Sequence, residues 1–199
     1  MYKFFLKRLC DFLFALVALF ILFFPMVIIG IIIKCDSKGP VIFKQKRIGK
    51  NKKPFTIYKF RTMCDHAFEK GGIASSESDS RITKVGKFLR RTSLDEIPQL
   101  VNIFLGQMAI IGPRPVLDWE YNDFAREEYE PRFKVRPGMF CTIDLDYRAT
   151  APRELQFKMD AEYANKVSFG LDIKTFFKII KIVLNGKNVY KDENKDGKK

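Results

Sequence analysis

Phe12 to Ile33 is a run of 22 residues without a charge, dominated by Phe, Leu, Ile and Val. Crossing a bilayer takes ~20 apolar residues, so the pattern predicts a membrane helix. The run is too long for a cleavable signal peptide and lacks a small-x-small cleavage site. Pro25 falls inside it. Proline lacks an N–H, and its ring clashes with the carbonyl four residues back, which kinks or breaks a helix. Phe12 to Phe24 alone supplies 13 residues, or ~20 Å of helix against a ~30 Å hydrocarbon core. Lys3, Lys7 and Arg8 precede the run, and Lys34, Lys38, Lys44, Lys46 and Arg47 follow it. Cytoplasmic flanks are the ones that carry Lys and Arg. Positive charge on both sides favours a segment that dips in and returns over a kinked helix that crosses fully.

After Lys34 the apolar runs shorten. Pro40 to Phe43 and Phe55 to Phe60 read as strands around a basic turn, Lys50 to Lys53. Residues 71–80 are small and polar, a loop. Val85–Arg91, Ile97–Leu105, the acidic Asp118–Tyr129 and Leu155–Asn165 read as helices, and Cys141–Leu145 as a short strand. Leu171–Leu184 is the clearest periodic segment, with Ile173, Phe176, Phe177 and Ile180 on one face and Lys174, Lys178 and Lys181 on the other. That pattern suits a helix lying in the bilayer interface and a helix packed on the core equally well. The predicted fold is α+β and mainly helical. It comprises a re-entrant membrane helix broken at Pro25 (residues 1–35), a small cytoplasmic domain (36–184) and a polar, disordered tail (185–199).

Charge narrows the partners. The chain carries 36 Lys and Arg against 23 Asp and Glu, a net +13, which suits a phospholipid surface, nucleic acid or a phosphorylated substrate. The hydrophobic anchor, and the lack of any recognised nucleic-acid module, argue against nucleic acid. Cys10, Cys35, Cys64 and Cys141 are far apart with no CxxC pair, which fits free thiols rather than zinc ligands or a disulfide framework. His66 is the single histidine, so a mechanism needing two imidazoles is excluded.

Ser93-Leu94-Asp95-Glu96-Ile97-Pro98-Gln99-Leu100 is the most informative stretch. Proline is tolerated near a helix start, which puts Asp95 and Glu96 beside unpaired N–H groups at the positive end of the dipole. Such a place keeps a carboxylate ionised and attracts phosphate. An ionised Asp can attack phosphorus, and a neighbouring Glu can hold Mg²⁺. Simple capping by Ser93 and Glu96, an S-x-x-E box, is the alternative. Prolines flank Arg114 in Gly112-Pro113-Arg114-Pro115, and Arg136-Pro137-Gly138 repeats the device; a fixed guanidinium suits phosphate, or a carboxylate in a surface turn. Lys59 and Arg61 share a strand face and could meet an anion. Asp144 and Asp146 offer a second reading, a D-x-D metal site on one strand face.

Taken in order, Lys7-Arg8 with Asp11, Gly39 to Gln45, Arg47-Ile48-Gly49, Tyr58 to Met63, Leu94 to Leu100, Ile111 to Pro115 and Val135 to Gly138 resemble the bacterial sugar transferase family, monotopic polyprenyl-phosphate phosphoglycosyl transferases. The resemblance implies a re-entrant helix broken at a proline and a ping-pong reaction with Mg²⁺. Asp95 would attack the β-phosphate of a UDP-sugar, Glu96 would bind the metal, and Arg114 would hold phosphate oxygens. Arg136, Lys59, Arg61 and Arg148 are further phosphate candidates, and Lys7, Arg8, Asp11 and Pro25 belong to the membrane segment. It also implies a polyprenyl phosphate acceptor, inner-membrane lipids around a cytoplasm-facing domain, and downstream glycosyltransferases as partners. One departure stands out. The family continues after Arg-Pro-Gly with Thr-Gly, a Gln and Asn-Gly-Arg, whereas this chain reads Met139 to Arg148 with only Arg148 in place. The donor sugar is therefore open. A glycosyltransferase using Asp144 and Asp146, or a non-enzymatic basic membrane protein, are the competing readings.

Overall fold

A computed structural model describes residues 2–65, 67, 79–147 and 151–184. The tail after Leu184, Arg148 and most of the loop expected over 71–80 lie outside the described residues.

After a π-helical turn at Tyr2–Leu6, helix α1 runs over Lys7–Asp36 with Pro25 inside it. The break expected at Pro25 is corrected, because helical backbone continues through it. The ring removes one hydrogen bond, whereas ending the helix amid apolar side chains would orphan several carbonyls. Phe20 is 85% and Phe24 73% exposed, while Leu19, Leu22, Met26 and Ile29 pack against the core, so the middle of α1 lays one face on the domain and turns an apolar face outward. Among the described residues α1 is the one helix long and apolar enough to cross a membrane.

Both ends of α1 are tied to the same domain. At its start Arg8 donates to the Ile103 and Phe104 carbonyls (2.6 and 2.8 Å), Asp11 Oδ1 accepts from Ile110 N (3.1 Å), and Lys7 pairs with Asp172 (2.7 Å). At its far end Asp36 accepts from Val85 N (3.3 Å), and the Ser37 carbonyl accepts from Arg61 (2.6 Å).

Strands β1 (Ile42–Ile48) and β2 (Pro54–Phe60) pair antiparallel, from Ile42 opposite Phe60 to Ile48 opposite Pro54. β1 outruns the expected Pro40–Phe43 because its polar half, Lys44 to Arg47, takes its backbone partners from β2. Helix α2 (Lys84–Thr92) starts on Thr83, whose Oγ1 accepts from Gly86 N (3.0 Å). A 3₁₀ turn at Leu94–Glu96 leads into α3 (Gln99–Phe104). Ala15 and Ile33 of α1 join Ile57, Phe60, Leu89, Leu100 and Ile103 in the main core.

Strands β3 (Ala109–Ile111) and β4 (Gly138–Phe140) form a parallel pair that the pattern did not reveal. The helix expected over Asp118–Tyr129 ends as α4 at Phe124, and a 3₁₀ segment over Glu127–Lys134 follows. Cys141–Leu145 is corrected from strand to a 3₁₀ turn at Thr142–Leu145, because Asp144 Oδ2 accepts from Cys141 N (2.8 Å) and curls the chain. Helices α5 (Arg153–Lys166) and α6 (Phe169–Leu184) close the described fold, which is α+β and mainly helical. On α6, Asp172, Thr175 and Ile179 face the domain, and Phe169, Ile173, Phe177 and Ile180 are exposed. Phe176 meets Phe14 of α1 at 5.6 Å, so the exposed stripe lies beside the first turns of the apolar helix.

Candidate active site

The turn carrying Asp95 and Glu96 forms because α2 is stopped at Ser93, a non-glycine residue in the left-handed region at φ 58°. Ser93 makes no side-chain cap hydrogen bond there, so the S-x-x-E capping box does not form. Glu96 Oε1 instead accepts from Lys59 Nζ at 2.6 Å. Half-buried Asp95 has its carboxyl pushed up to about 6, first by desolvation and then by the charge of Glu96, while Lys59 and Arg90 pull it down. Burial outweighs the helix-end effect inferred from sequence, yet the group still ionises below neutral pH. Arg90, on the last turn of α2, was missed; its position just before the Asp-Glu pair was the available signal.

Arg114 reaches the site through a backbone contact between the two proline motifs. A Cβ on Gly138 would sit 2.1 Å from Gly112 N, so these strands close only through glycine. Gly138 N donates to the Pro113 carbonyl at 2.8 Å. The Arg114 backbone is then clamped: its N donates to Asp160 Oδ2 (3.1 Å) and its carbonyl accepts from Arg132 (2.8 Å). Arg132 and Asp160 pair at 2.7 Å, each side chain 1% exposed, and the Arg132 guanidinium lies 4.0 Å from the Phe157 ring centre. Asp144, Cys141, Glu96 and Glu120 favour the charged form of Arg114 and raise its pKa against the desolvation that lowers it. Arg47 donates to the Pro115 carbonyl (3.2 Å) and lies 3.7 Å from Glu120, which also accepts from Arg153 Nε (2.9 Å). Burial pulls Arg47 down to about 10, with Arg114 repelling it, so it stays charged at neutral pH. In the sequence Arg47 stands out as a basic flank of the apolar run and part of a motif rather than as a site residue, and nothing in the spacing of Glu120, Arg132, Arg153 and Asp160 brings them together.

Other sequence candidates separate. Lys59 reaches Glu96, but Arg61, one residue past β2, turns to Ser37 at the end of α1. Arg136 Nε donates to the Gly106 carbonyl at 2.8 Å, so with Arg8 it covers the carbonyl end of α3, opposite the end that carries Asp95. Lys7 and Asp11 lock the root of α1 to α6 through Asp172, which also accepts from Tyr2 and Tyr163 (2.6 Å each). Asp144 and Asp146 do not share a strand face: Asp144 caps its own turn and Asp146 is exposed at the turn's end. The D-x-D geometry is corrected accordingly.

Among the described residues no group of three or more His, Cys, Asp or Glu side chains gathers as a metal cage. The adjacent carboxylates of Asp95 and Glu96 fit Mg²⁺ instead, an ion bound through one or two carboxylates plus waters and substrate phosphate.

Residues 2–186 match the family model described as bacterial sugar transferase. The chain is 38% identical over 188 residues to a UDP-N-acetylgalactosamine-undecaprenyl-phosphate N-acetylgalactosaminephosphotransferase of Aeromonas hydrophila, across 92% of this chain and 44% of that one. It is 37% identical over 179 residues to UDP-glucose:undecaprenyl-phosphate glucose-1-phosphate transferase of Escherichia coli (strain K12), across 86% of this chain and 39% of that one. It is 42% identical over 183 residues to the exopolysaccharide production protein PSS of Rhizobium leguminosarum bv. phaseoli, across 86% and 92%. The chain thus spans less than half of the first two relatives and nearly all of the third.

Proposed function

The chain belongs to the bacterial sugar transferase family, and from that premise we propose that it transfers a sugar 1-phosphate from a UDP-sugar to polyprenyl phosphate and releases UMP. The observation that carries the reading is the Asp95-Glu96 turn, ringed by Lys59, Arg90 and Arg114 on a domain along which α1 turns an exposed apolar face outward. A carboxylate oxygen of Asp95 attacks the β-phosphorus. The bond from that phosphorus to the bridging oxygen breaks, and its electron pair leaves with UMP. A phosphosugar then sits on Asp95 as an acyl phosphate. An oxygen of polyprenyl phosphate attacks the same phosphorus, and the carboxylate departs with the electrons of the P–O bond. Glu96 would hold Mg²⁺, which supplies charge neutralisation to the diphosphate when bound. Lys59 keeps Glu96 oriented, and Arg90 and Arg114 offset phosphate charge. The lipid product would pass to glycosyltransferases of a surface-glycan route. Mass spectrometry of protein mixed with UDP-sugars but no acceptor should find a phosphosugar on the peptide holding residue 95; its absence during turnover removes the reading.

The membrane geometry belongs to the same proposal. α1 enters the cytoplasmic leaflet of the inner membrane and returns, with the exposed stripe of α6 at the interface. Supporting this, both ends of α1 bond to one domain and both flanks are basic. Cysteines placed at positions 3 and 38 of a cysteine-free variant should both react with an impermeant thiol reagent in inside-out vesicles and not in spheroplasts. Labelling of either one from outside sinks the re-entrant topology.

A further inference from the structure

Arg114 is half-buried, yet among the described residues its guanidinium makes no hydrogen bond or ion pair. Beside it stand two more guanidiniums. Arg47 is held by the Pro115 carbonyl and by Gln45 Oε1 (2.7 Å), and its buried Nε has no partner among the described residues. Arg153 is held by Glu120 and by Gln156 Oε1 (2.9 Å), and its side chain is 32% exposed. Glu120, 2% exposed, is the strut between them: Oε1 takes Arg153, and Oε2 takes Leu117 N at 2.8 Å and faces Arg47. Arg47 and Arg153 thus share one buried carboxylate, while the acid that acts most strongly on Arg114 beside them is Asp144. Glu96, the next acid within their field, is engaged by Lys59, and Asp144 Oδ2 by Cys141 N. Like charges gathered this way repel, and a dianion placed among them relieves that repulsion while meeting donors already oriented.

We propose that Arg47 and Arg153, joined through Glu120, form with Arg114 the seat of the donor's α-phosphate, the group that departs as UMP. The assignment rests on the phosphoglycosyl transfer reading above and deepens it. Glu96 acts on Arg47 and Arg114, so a diphosphate with its β-phosphorus at Asp95 would rest its leaving phosphate on the arginines. Departing charge on the bridging oxygen is then met by donors that need no rearrangement. The nucleotide is bound by this wall, and the sugar is left to other residues.

The test uses the full chain in detergent micelles with Mg²⁺. Equilibrium dialysis of labelled UMP, donor KM and product inhibition by UMP are measured for the unaltered protein, Arg153→Gln and Arg153→Lys. Arg153→Gln should weaken UMP binding, raise donor KM and raise the UMP inhibition constant by about tenfold or more, from loss of charge-assisted bonds. Arg153→Lys should fall between, and the KM for polyprenyl phosphate should not move. Unchanged UMP binding in Arg153→Gln overturns the seat while leaving the transfer reading intact. A rise confined to the polyprenyl phosphate KM also overturns it, by assigning Arg153 to the acceptor. Failure of the unaltered protein to release UMP from UDP-glucose, UDP-galactose or their N-acetyl forms overturns the transfer reading itself, and the seat with it.

Discussion

Asp95→Asn should lower UMP release by at least ~10³–10⁴-fold, because an amide cannot form the acyl phosphate on which both half-reactions depend. The same variant should fold at least as well as the unaltered protein. Burial pushes the Asp95 carboxyl up to about 6, against ~3.9 in an unfolded chain. A raised carboxyl means that the folded state holds the proton more tightly. The stability associated with that proton is fully present below about pH 4 and is lost as pH rises through about 6. Asn, neutral throughout, escapes that loss. In chelator-treated protein the melting temperature of Asp95→Asn should match the parent near pH 4 and equal or exceed it at pH 8. Glu96 and the cations Lys59 and Arg90 all face this carboxyl, so the comparison needs constant salt. A variant that keeps more than a tenth of normal turnover excludes Asp95 as nucleophile. A variant that melts well below the parent at pH 8 shows that Asp95 is structural, and its lost activity then carries no information about chemistry.

Arg132→Met should produce the largest loss of stability. Arg132 and Asp160 are each 1% exposed and pair at 2.7 Å. Removing one partner of a buried pair leaves an uncompensated charge and costs about 3–5 kcal/mol, whereas replacing both with apolar groups is often neutral. Asp160 already stands at about 6 through burial, with Arg132 holding it down. Without Arg132 it rises further and takes up a proton on folding. The variant's deficit should therefore grow as pH rises, smallest near pH 5 and largest at pH 8. Arg132→Met with Asp160→Leu should recover most of the stability. It should not recover activity, because the Arg114 backbone loses the Asp160 oxygen and the Arg132 donor that fix it. Thermal unfolding at both pH values decides this; a single variant within about 1 kcal/mol of the parent at pH 8 contradicts the buried-pair argument.

Legibility in the sequence followed distance along the chain. The apolar run of α1, the hairpin turn and the start of α3 at Pro98 are local, set by residues within a few positions of one another, and each appeared nearly where expected. The Lys59–Arg61 pair was misread as one surface, since parity places both on one face but cannot say that β2 ends at Phe60 and frees Arg61 to turn to α1. β3 and β4 stayed hidden because three residues carry no period. The helix broken at Pro25 failed for the opposite reason: a strong local rule yielded to the need to keep carbonyls paired along an apolar helix.

By itself the sequence determined that a long apolar helix precedes a basic domain, and that an Asp-Glu pair precedes a short helix. Composition and spacing over adjacent residues suffice for both. Only tertiary structure decided what surrounds that pair. The Gly112–Gly138 approach, the Arg132–Asp160 clamp and the Glu120 strut join residues from 18 to 106 positions apart. Which guanidinium lacks a partner among the described residues follows from those long-range contacts, because a charge is neutralised by whatever the fold brings near it.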